Sequence, residues 1–562
     1  MMRSTEAASA PHPWHVRIRD TVTGQILGAG MLVGTRHVLT CAHVVGPDRD
    51  PPDTDVTVEF ITRPEATTTG RVEDDCWVPS REKGEGDVAL LKLAETQPEG
   101  CGAPLHRRAI LLGAEVYAQG FPSGHANGLG AFMRLAGNCG PRGEWVQMND
   151  WSPGRPARGF SGAAVLDSGT GQVVGMVVSR HVGDPADIAY MIPVETIVRY
   201  LPPVGRWARG HTAVDRETAQ KFNPRVPDVE FGQQVTDWLA APSNVRVITT
   251  GGRDSERAET LRSVIVSSDR EQRPSDEVLA AAPPGTVSPA AGLDLAVDAS
   301  GRTVEEVSQR VLDRLGIRPG SPGGATDRVR DGVPPMTIVV YGIDDAGDPI
   351  SLVDRLLRPL AEQGSRLFLV FHRDSSPVLD QARSLESEAA TAERERVRRL
   401  LGELTAKVAE LETAEKRAVR RWREIAPRVA GVPDPPDLAA SFRLRLLRPP
   451  DSAPEDGWTV GELHALLRRR DRASARVEEF GRTIEESLAR RNELRRRAEV
   501  DKAVAAGAGL AEDIALGRLY DEAHRLLWDE RPCDLGRAEA AVRRYEAAIR
   551  HRRANRSGEA EK

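Results

Sequence analysis

The chain has 562 residues, a formal net charge of −6 and 4% aromatic residues. That length suits about three to four structural units, and the slightly acidic balance argues against a global nucleic-acid role. Cys41, Cys76, Cys101, Cys139 and Cys533 are scattered and odd in number, so they spell neither a metal motif nor a disulfide framework; with no apolar signal core at the start and no run long enough to span a bilayer, the expected home is a reducing cytosol, with no membrane, metal or cofactor.

Residues 1–13 are predicted to be disordered. Met31-Leu32-Val33 and His37-Val38-Leu39-Thr40 read as strands around a Gly34-Thr35-Arg36 turn, and the second ends in Thr40-Cys41-Ala42-His43. Asp87 to Leu93 reads as a buried strand with Asp87 at its mouth. Gly159-Phe160-Ser161-Gly162-Ala163 follows later, then a strand, a Ser168-Gly169-Thr170-Gly171 turn and a strand from Val173 to Ser179. A serine hydroxyl needs a base, and the base needs an orienting carboxylate. His43 is the expected base for Ser161, and Asp87 the expected partner of the other imidazole nitrogen. Gly159 permits a tight turn that aims the N–H groups of Gly159 and Ser161 at a developing oxyanion.

These stretches, in this order, resemble the trypsin-like serine proteases, and more closely their intracellular bacterial branch. The resemblance covers residues 14–201 and implies an all-β pair of six-stranded barrels with His43, Asp87 and Ser161 between them. It makes Ala189 to Val194 the closing strand and Glu195 to Leu201 a terminal helix. Relatives activated by amino-terminal cleavage carry an aspartate before the nucleophile. Phe160 stands there instead, so no such cleavage is expected. Ala163 replaces a glycine that many relatives have. By the same resemblance Arg155 lies at the base of the specificity pocket, near Arg158, and Ser179 and Arg180 lie along its wall. A cationic pocket would favour an acidic residue before the cut; the alternative, which we favour, is that the arginines face solvent.

After a linker, 202–227, strands and helices alternate over 228–375, an α/β three-layer pattern. Strands are predicted at Val245–Thr250, Leu293–Val297, Met336–Tyr341 and Arg366–Phe371. Helices are predicted at Phe231–Leu239, up to Val264, at Thr303–Leu315 and at Ile350–Gln363. The strand and the glycine-bearing loop Gly251-Gly252-Arg253-Asp254-Ser255 resemble the P-loop domain of the large signal-transduction NTPases. The loop ends in Glu256-Arg257-Ala258, without the lysine and hydroxyl that hold phosphate and magnesium. Tyr341 stands where the magnesium-associated aspartate is expected, with Asp344 and Asp345 nearby. This points to a degenerate P-loop domain that no longer hydrolyses nucleotide, a scaffold or sensor not expected to bind it; the alternative is residual binding, with Arg253 or Arg257 meeting a phosphate.

Residues 384–552 read as a charged helical arm. Val397, Leu401, Leu404, Val408, Leu411, Ala418, Trp422 and Ile425 fall on a coiled-coil spacing, with Glu415 the one polar interruption. A proline-rich break, Pro433 to Pro454, precedes a second long helix from Thr459 to about Val504. The two helices could form an antiparallel hairpin or pair with another chain. Arg468-Arg469-Arg470 and Arg495-Arg496-Arg497 alternate with glutamates, as on a salt-bridged face, which we favour over a nucleic-acid contact. The arm is expected to bind a partner protein or self-associate. Residues 553–562 are predicted to be a disordered tail.

The sequence thus predicts an intracellular serine endopeptidase acting on protein or peptide substrates and controlled by its other regions. The resemblance places it in a bacterial signalling or defence setting. The alternatives are a non-catalytic adaptor that binds peptides and a nucleotide-responsive switch.

Overall fold

The computed structural model describes residues 12–46, 50–81, 85–139, 143–150, 159–178, 188–240, 244–317, 323–447 and 458–560. The chain divides into two compact units, Met1–Ala390 and Thr391–Lys562. Among the described residues no helix is long and apolar enough to cross a membrane.

The first unit opens with β1 (His15–Asp20), β2 (Ile26–Val33), β3 (His37–Thr40), a one-turn helix α1 (Ala42–Val45), β4 (Val56–Phe60), β5 (Arg63–Arg81) and β6 (Glu85–Leu93). The six strands close into a barrel in the order β1-β2-β3-β6-β5-β4. Period-two patterning drives it: Val56, Val58 and Phe60 of β4 are buried, whereas Thr57 and Glu59 are not. Each such buried side chain contributes about 1.5–3 kcal/mol.

After a two-residue strand β7 (His106–Arg107) come β8 (Glu115–Gly120), β9 (Leu129–Cys139), β10 (Trp145–Asp150), β11 (Ala164–Asp167), β12 (Val173–Val177) and β13 (Ile188–Pro193). They close a second six-stranded barrel, β10-β13-β12-β11-β8-β9, around Val116, Met133, Val146, Met148, Val165 and Met191. His15 of the first barrel reaches the second: its Nε2–H donates to the Gln119 carbonyl at 2.9 Å. Helix α2 (Val194–Tyr200) leaves β13 without a break.

The stretch 202–227, expected as a linker, is instead built into the fold. A helical turn spans Pro202–Arg206, and β14 (Arg209–Gly210) pairs in parallel with β7. Ala213 and Val214 are buried, and the Val214 N–H donates to Asp269 at 2.7 Å. Their apolar side chains find cover only against the layer that follows, so the segment packs.

That layer comprises α3 (Val229–Ala240), β15 (Val245–Thr249), α4 (Glu256–Ser268), β16 (Leu295–Asp298), α5 (Val304–Leu315), β17 (Thr337–Tyr341), a helical run from Pro349 to Glu362 and β18 (Arg366–Phe371). The strands form a parallel sheet in the order β15-β18-β17-β16. Alternate residues serve different cores. Val297, Val340 and Leu369 join one face, Ala296, Val339 and Val370 the other. Near-continuous apolar strands covered on both faces are what parallel pairing requires. Helix α5 carries its own punctuation, a Thr303/Glu306 capping box and Gly316 in the left-handed region at its end.

Helix α6 (Leu379–Ile425) begins in the first unit and runs into the second. The second unit continues with α7 (Ala439–Leu447), α8 (Val460–Gly507), α9 (Ile514–His524) and α10 (Leu535–Ala560). Leu404, Val408, Leu411 and Ile425 of α6 share a core with Leu463, Val477, Phe480 and Ile484 of α8, so the seam is filled within the chain. The helices are not antiparallel. Glu410 meets Arg470 at 3.7 Å and Arg421 meets Glu485 at 2.5 Å, so both chains advance in the same direction. The proline-rich break holds α7, which runs back beside α6, and that return makes the parallel pairing possible. Glu415, the polar residue in the seam, is buried and accepts the N–H groups of Leu438 at 2.6 Å and Ala439 at 3.1 Å, capping α7. The segment expected as a tail overlaps the last helix. Helix α10 extends to Ala560, in a segment rich in good helix formers such as Ala, Arg and Glu.

Candidate active site

Strand β3 ends at Thr40, whose hydroxyl donates to the Ala29 carbonyl at 2.7 Å. The Cys41 thiol donates to the Val177 carbonyl of β12 at 3.2 Å, tying the two barrels together. The chain then turns into α1, which presents His43 with 41% of its side chain exposed. His43 therefore sits on a helical turn just past the strand, not on the strand itself.

Asp87 lies near the start of β6 and is buried. Gly86 and Asp87 have φ of 70° and 68°, a left-handed pair that swings the carboxylate toward α1. A non-glycine residue in that conformation costs on the order of 1–3 kcal/mol and persists where its surroundings enforce it. Asp87 Oδ1 accepts the His43 backbone N–H at 3.0 Å, and Oδ2 pairs with Nδ1 at 2.8 Å. The carboxylate is a far stronger acceptor than donor, so Nδ1 carries the proton and Nε2 presents its lone pair.

Ser161 is stitched to both barrels. Its carbonyl accepts from Ala29 N–H at 2.9 Å, and the next N–H, Gly162, donates to Val177 at 2.9 Å. Gly159 and Gly162 have φ of 105° and 85°. A Cβ on Gly159 would lie 2.3 Å from the Phe121 carbonyl oxygen, and one on Gly162 2.0 Å from that of Ala29, so only glycine fits either place. Among the described residues no carbonyl takes the N–H of Gly159 or Ser161. Phe160 is buried among the apolar residues of the second barrel. Ala163 is fully buried, its N–H bonded to the Phe160 carbonyl at 2.9 Å, so its methyl is accommodated. Arg155, Arg158, Ser179 and Arg180, expected around the specificity pocket, lie outside the described residues.

Residues 28–176 match the trypsin-like peptidase domain family. The two barrels agree with that match, and this part of the chain is a trypsin-like peptidase domain. No curated protein matches the chain. Among solved structures, the inactive form of Rv3671c from M. tuberculosis is 21% identical over 36% of this chain and 92% of its own, with a TM-score of 0.28. Neuropsin, a serine protease expressed in the limbic system of mouse brain, is 18% identical over 35% and 96%, with a TM-score of 0.28. The HtrA-type protease AlgW with a decapeptide is 15% identical over 38% and 71%, with a TM-score of 0.28.

Within the peptidase domain, Cys41, His43 and Asp87 bring potential ligand atoms within 4.8 Å of one another. Burial, and then the Asp87 charge, push the Cys41 thiol well above its ordinary range. It stays protonated, which removes it both as a nucleophile and as a thiolate ligand. The clamp formed by Thr40, Cys41, Ala29 and Val177 had no signature in sequence, because both of its links end on backbone carbonyls. The left-handed need at Gly162 was open to inference from the glycine that follows the serine.

The loop after β15 carries a second set of polar groups. Ser255 Oγ donates to the Thr250 carbonyl at 2.6 Å and caps α4 by accepting the Ala258 N–H at 3.2 Å. Arg253 meets Asp345 at 3.3 Å. His372 Nδ1 lies 2.8 Å from Asp345, and Arg373 reaches Asp345 at 2.9 Å and Asp344 at 3.4 Å. The bond from His372 holds the Asp345 carboxyl below its usual range. Arg257 pairs with Asp228 at 3.2 Å. Protein cations thus already neutralise both aspartates at this loop.

Proposed function

We propose that the protein is a serine endopeptidase, with Ser161 as nucleophile, His43 as general base and Asp87 as its orienting partner. The observation that carries this reading is the pair of hydrogen bonds that Asp87 accepts from His43, which fixes the imidazole with Nε2 as the acceptor. In the proposed reaction Ser161 Oγ attacks the scissile carbonyl carbon and its proton passes to His43 Nε2. The oxygen that becomes negative is met by the N–H groups of Gly159 and Ser161, an interaction worth on the order of 10²–10³ in rate per donor. His43 then gives the proton to the leaving amine, and water releases the acyl group by the same sequence in reverse. Five free cysteines support a reducing cytosol as the working compartment.

The α/β layer is, in this reading, a degenerate P-loop scaffold that does not use nucleotide. The ion pairs on Asp344 and Asp345 support it, because a magnesium–triphosphate would have to displace Arg253, His372 and Arg373. The layer and the arm then serve to control the peptidase and to dock partner proteins.

A fluorophosphonate probe tests the assignment. The full chain should be labelled at one serine, and Ser161→Ala should abolish labelling. Unchanged labelling in that variant would remove Ser161 as nucleophile. Magnesium-dependent ATP binding by calorimetry would overturn the scaffold reading without touching the first.

A further inference from the structure

The helical arm gathers positive charge that its own carboxylates do not neutralise. Arg491 and Arg495 stand one turn apart on α8 and donate to one acceptor, the Leu527 carbonyl. Arg491 does so through Nη2 at 2.7 Å, Arg495 through Nε at 3.0 Å and Nη2 at 2.7 Å. Leu527 lies in the helical turn Arg525–Asp529 that ends the α9 run. Arg491 is 4% exposed, and its Nε has no hydrogen-bond partner. Arg495 also covers the Trp528 ring, 4.9 Å from its centre.

Two further arginines are fixed at the same place by backbone. Val429 and Cys533 form a bridge, with Cys533 N–H donating to the Arg428 carbonyl at 3.1 Å and Ala430 N–H to Cys533 at 2.9 Å. That bridge sets Arg428 beside Cys533, two residues after Arg531; both arginines are exposed, and both charges are felt at Arg495. Burial first, and then Arg491, Arg531 and Arg428, lower the proton affinity of Arg495. Burial raises the Cys533 thiol, so it supplies no thiolate to balance them.

Neighbouring arginines are treated differently. Arg490 is held by Glu539 at 2.7 Å and Arg497 by Glu546 at 2.9 Å, and the buried Arg470 has Asp471 at 3.2 Å. Among the described residues no carboxylate forms an ion pair with Arg428, Arg491, Arg495 or Arg531. Capping a helix end explains part of the cluster, since a C-terminus carries roughly half a negative charge. Two guanidiniums already exceed that, and four exceed it several-fold. An unbalanced buried charge is costly, so the arrangement calls for an anion from outside the chain.

We propose that Arg428, Arg491, Arg495 and Arg531 form a binding site for a phosphate dianion, either free or as the phosphate group of a small monoester. A carboxylate brings one charge and fills one guanidinium fork, whereas a phosphate brings close to two charges and three strong acceptor oxygens. A long nucleic acid fits poorly, because Asp529, Glu530 and Asp534 lie beside the cluster in sequence. Binding would join α8, the turn after α9 and the Val429 edge, making the arm sensitive to a phosphorylated small molecule.

Calorimetric titration of the full chain at constant ionic strength tests the site. The probes are inorganic phosphate, O-phosphoserine and a short oligothymidylate, with chloride as the balancing salt. Phosphate should bind, and Arg428→Gln with Arg531→Gln should weaken it at least about tenfold. Those two side chains are exposed, so the double variant should keep the wild-type circular dichroism spectrum. Binding of O-phosphoserine as well as phosphate assigns a monoester site; binding of phosphate alone assigns an ion site. No heat from phosphate, equal affinity in the double variant, or tighter binding of the oligothymidylate would each overturn the proposal.

Discussion

Glu195 and Arg314 form a two-point ion pair, Nη1 to Oε1 at 2.5 Å and Nη2 to Oε2 at 3.2 Å, with side chains 3% and 4% exposed. Glu195 stands in the first turn of α2, and Arg314 in the last turn of α5. Each charge therefore sits at the helix end that favours it. The pair joins the peptidase domain to the α/β layer, and Arg314 also donates to the Asp294 carbonyl at 2.6 Å and the His211 carbonyl at 2.8 Å. Arg107 with Glu271 and Arg199 with Asp276 extend the same junction.

Breaking that pair from one side should be expensive. Glu195→Gln or Arg314→Met should destabilise the first unit by about 3–5 kcal/mol, because the surviving charge stays buried. The measurement is the denaturant midpoint. The double variant should lose less than the sum of the two single variants.

Asp87→Asn should preserve the fold and lower kcat by roughly 10⁴-fold with a small change in KM, since the amide can impose the wrong imidazole tautomer. A peptide assay against the Ser161→Ala baseline reads this out. A loss under about tenfold would count against Asp87 as the orienting group.

Gly162→Ala should remove activity and lower the melting temperature together. The added methyl would be driven against the Ala29 carbonyl in a backbone conformation that alanine resists, a strain of about 1–3 kcal/mol before any clash. Gly171→Ala is the control, because it shares a positive φ of 69° but has nothing within 4 Å of the new methyl. It should cost less and leave labelling by fluorophosphonate intact.

His15 links the barrels and sets an acid limit. Burial pushes its imidazole down to about 4, against the bond to Gln119 and helped by the nearby His12. The native state therefore holds it neutral, while the unfolded chain protonates it near 6.5. Its contribution is fully present above about pH 6.5 and is lost as pH falls toward 4. Thermal unfolding across that window should be steeper in pH for the wild type than for His15→Gln, which keeps a donor but does not titrate.

The barrels were readable because short β-strands with alternating burial leave a period-two mark, as in Val56-Thr57-Val58-Glu59-Phe60. The ordered His43, Asp87 and Ser161 stretches carried the proposed site. What escaped was tertiary. Residues 202–227 look like a linker because they contain little periodicity, yet Ala213 and Val214 are buried among apolar residues of the α/β layer that follows. The parallel course of α6 and α8 was hidden because heptad spacing marks a seam without giving a direction. The direction is set by α7, whose nine residues are too few to stand out beside the prolines.

Glu415 gives the arm one more property. Its two oxygens are engaged by the Leu438 and Ala439 N–H groups of the same chain, so the polar position of the seam is satisfied within one copy. Melting of that helical core should then be unimolecular, and dilution should leave its midpoint where it was.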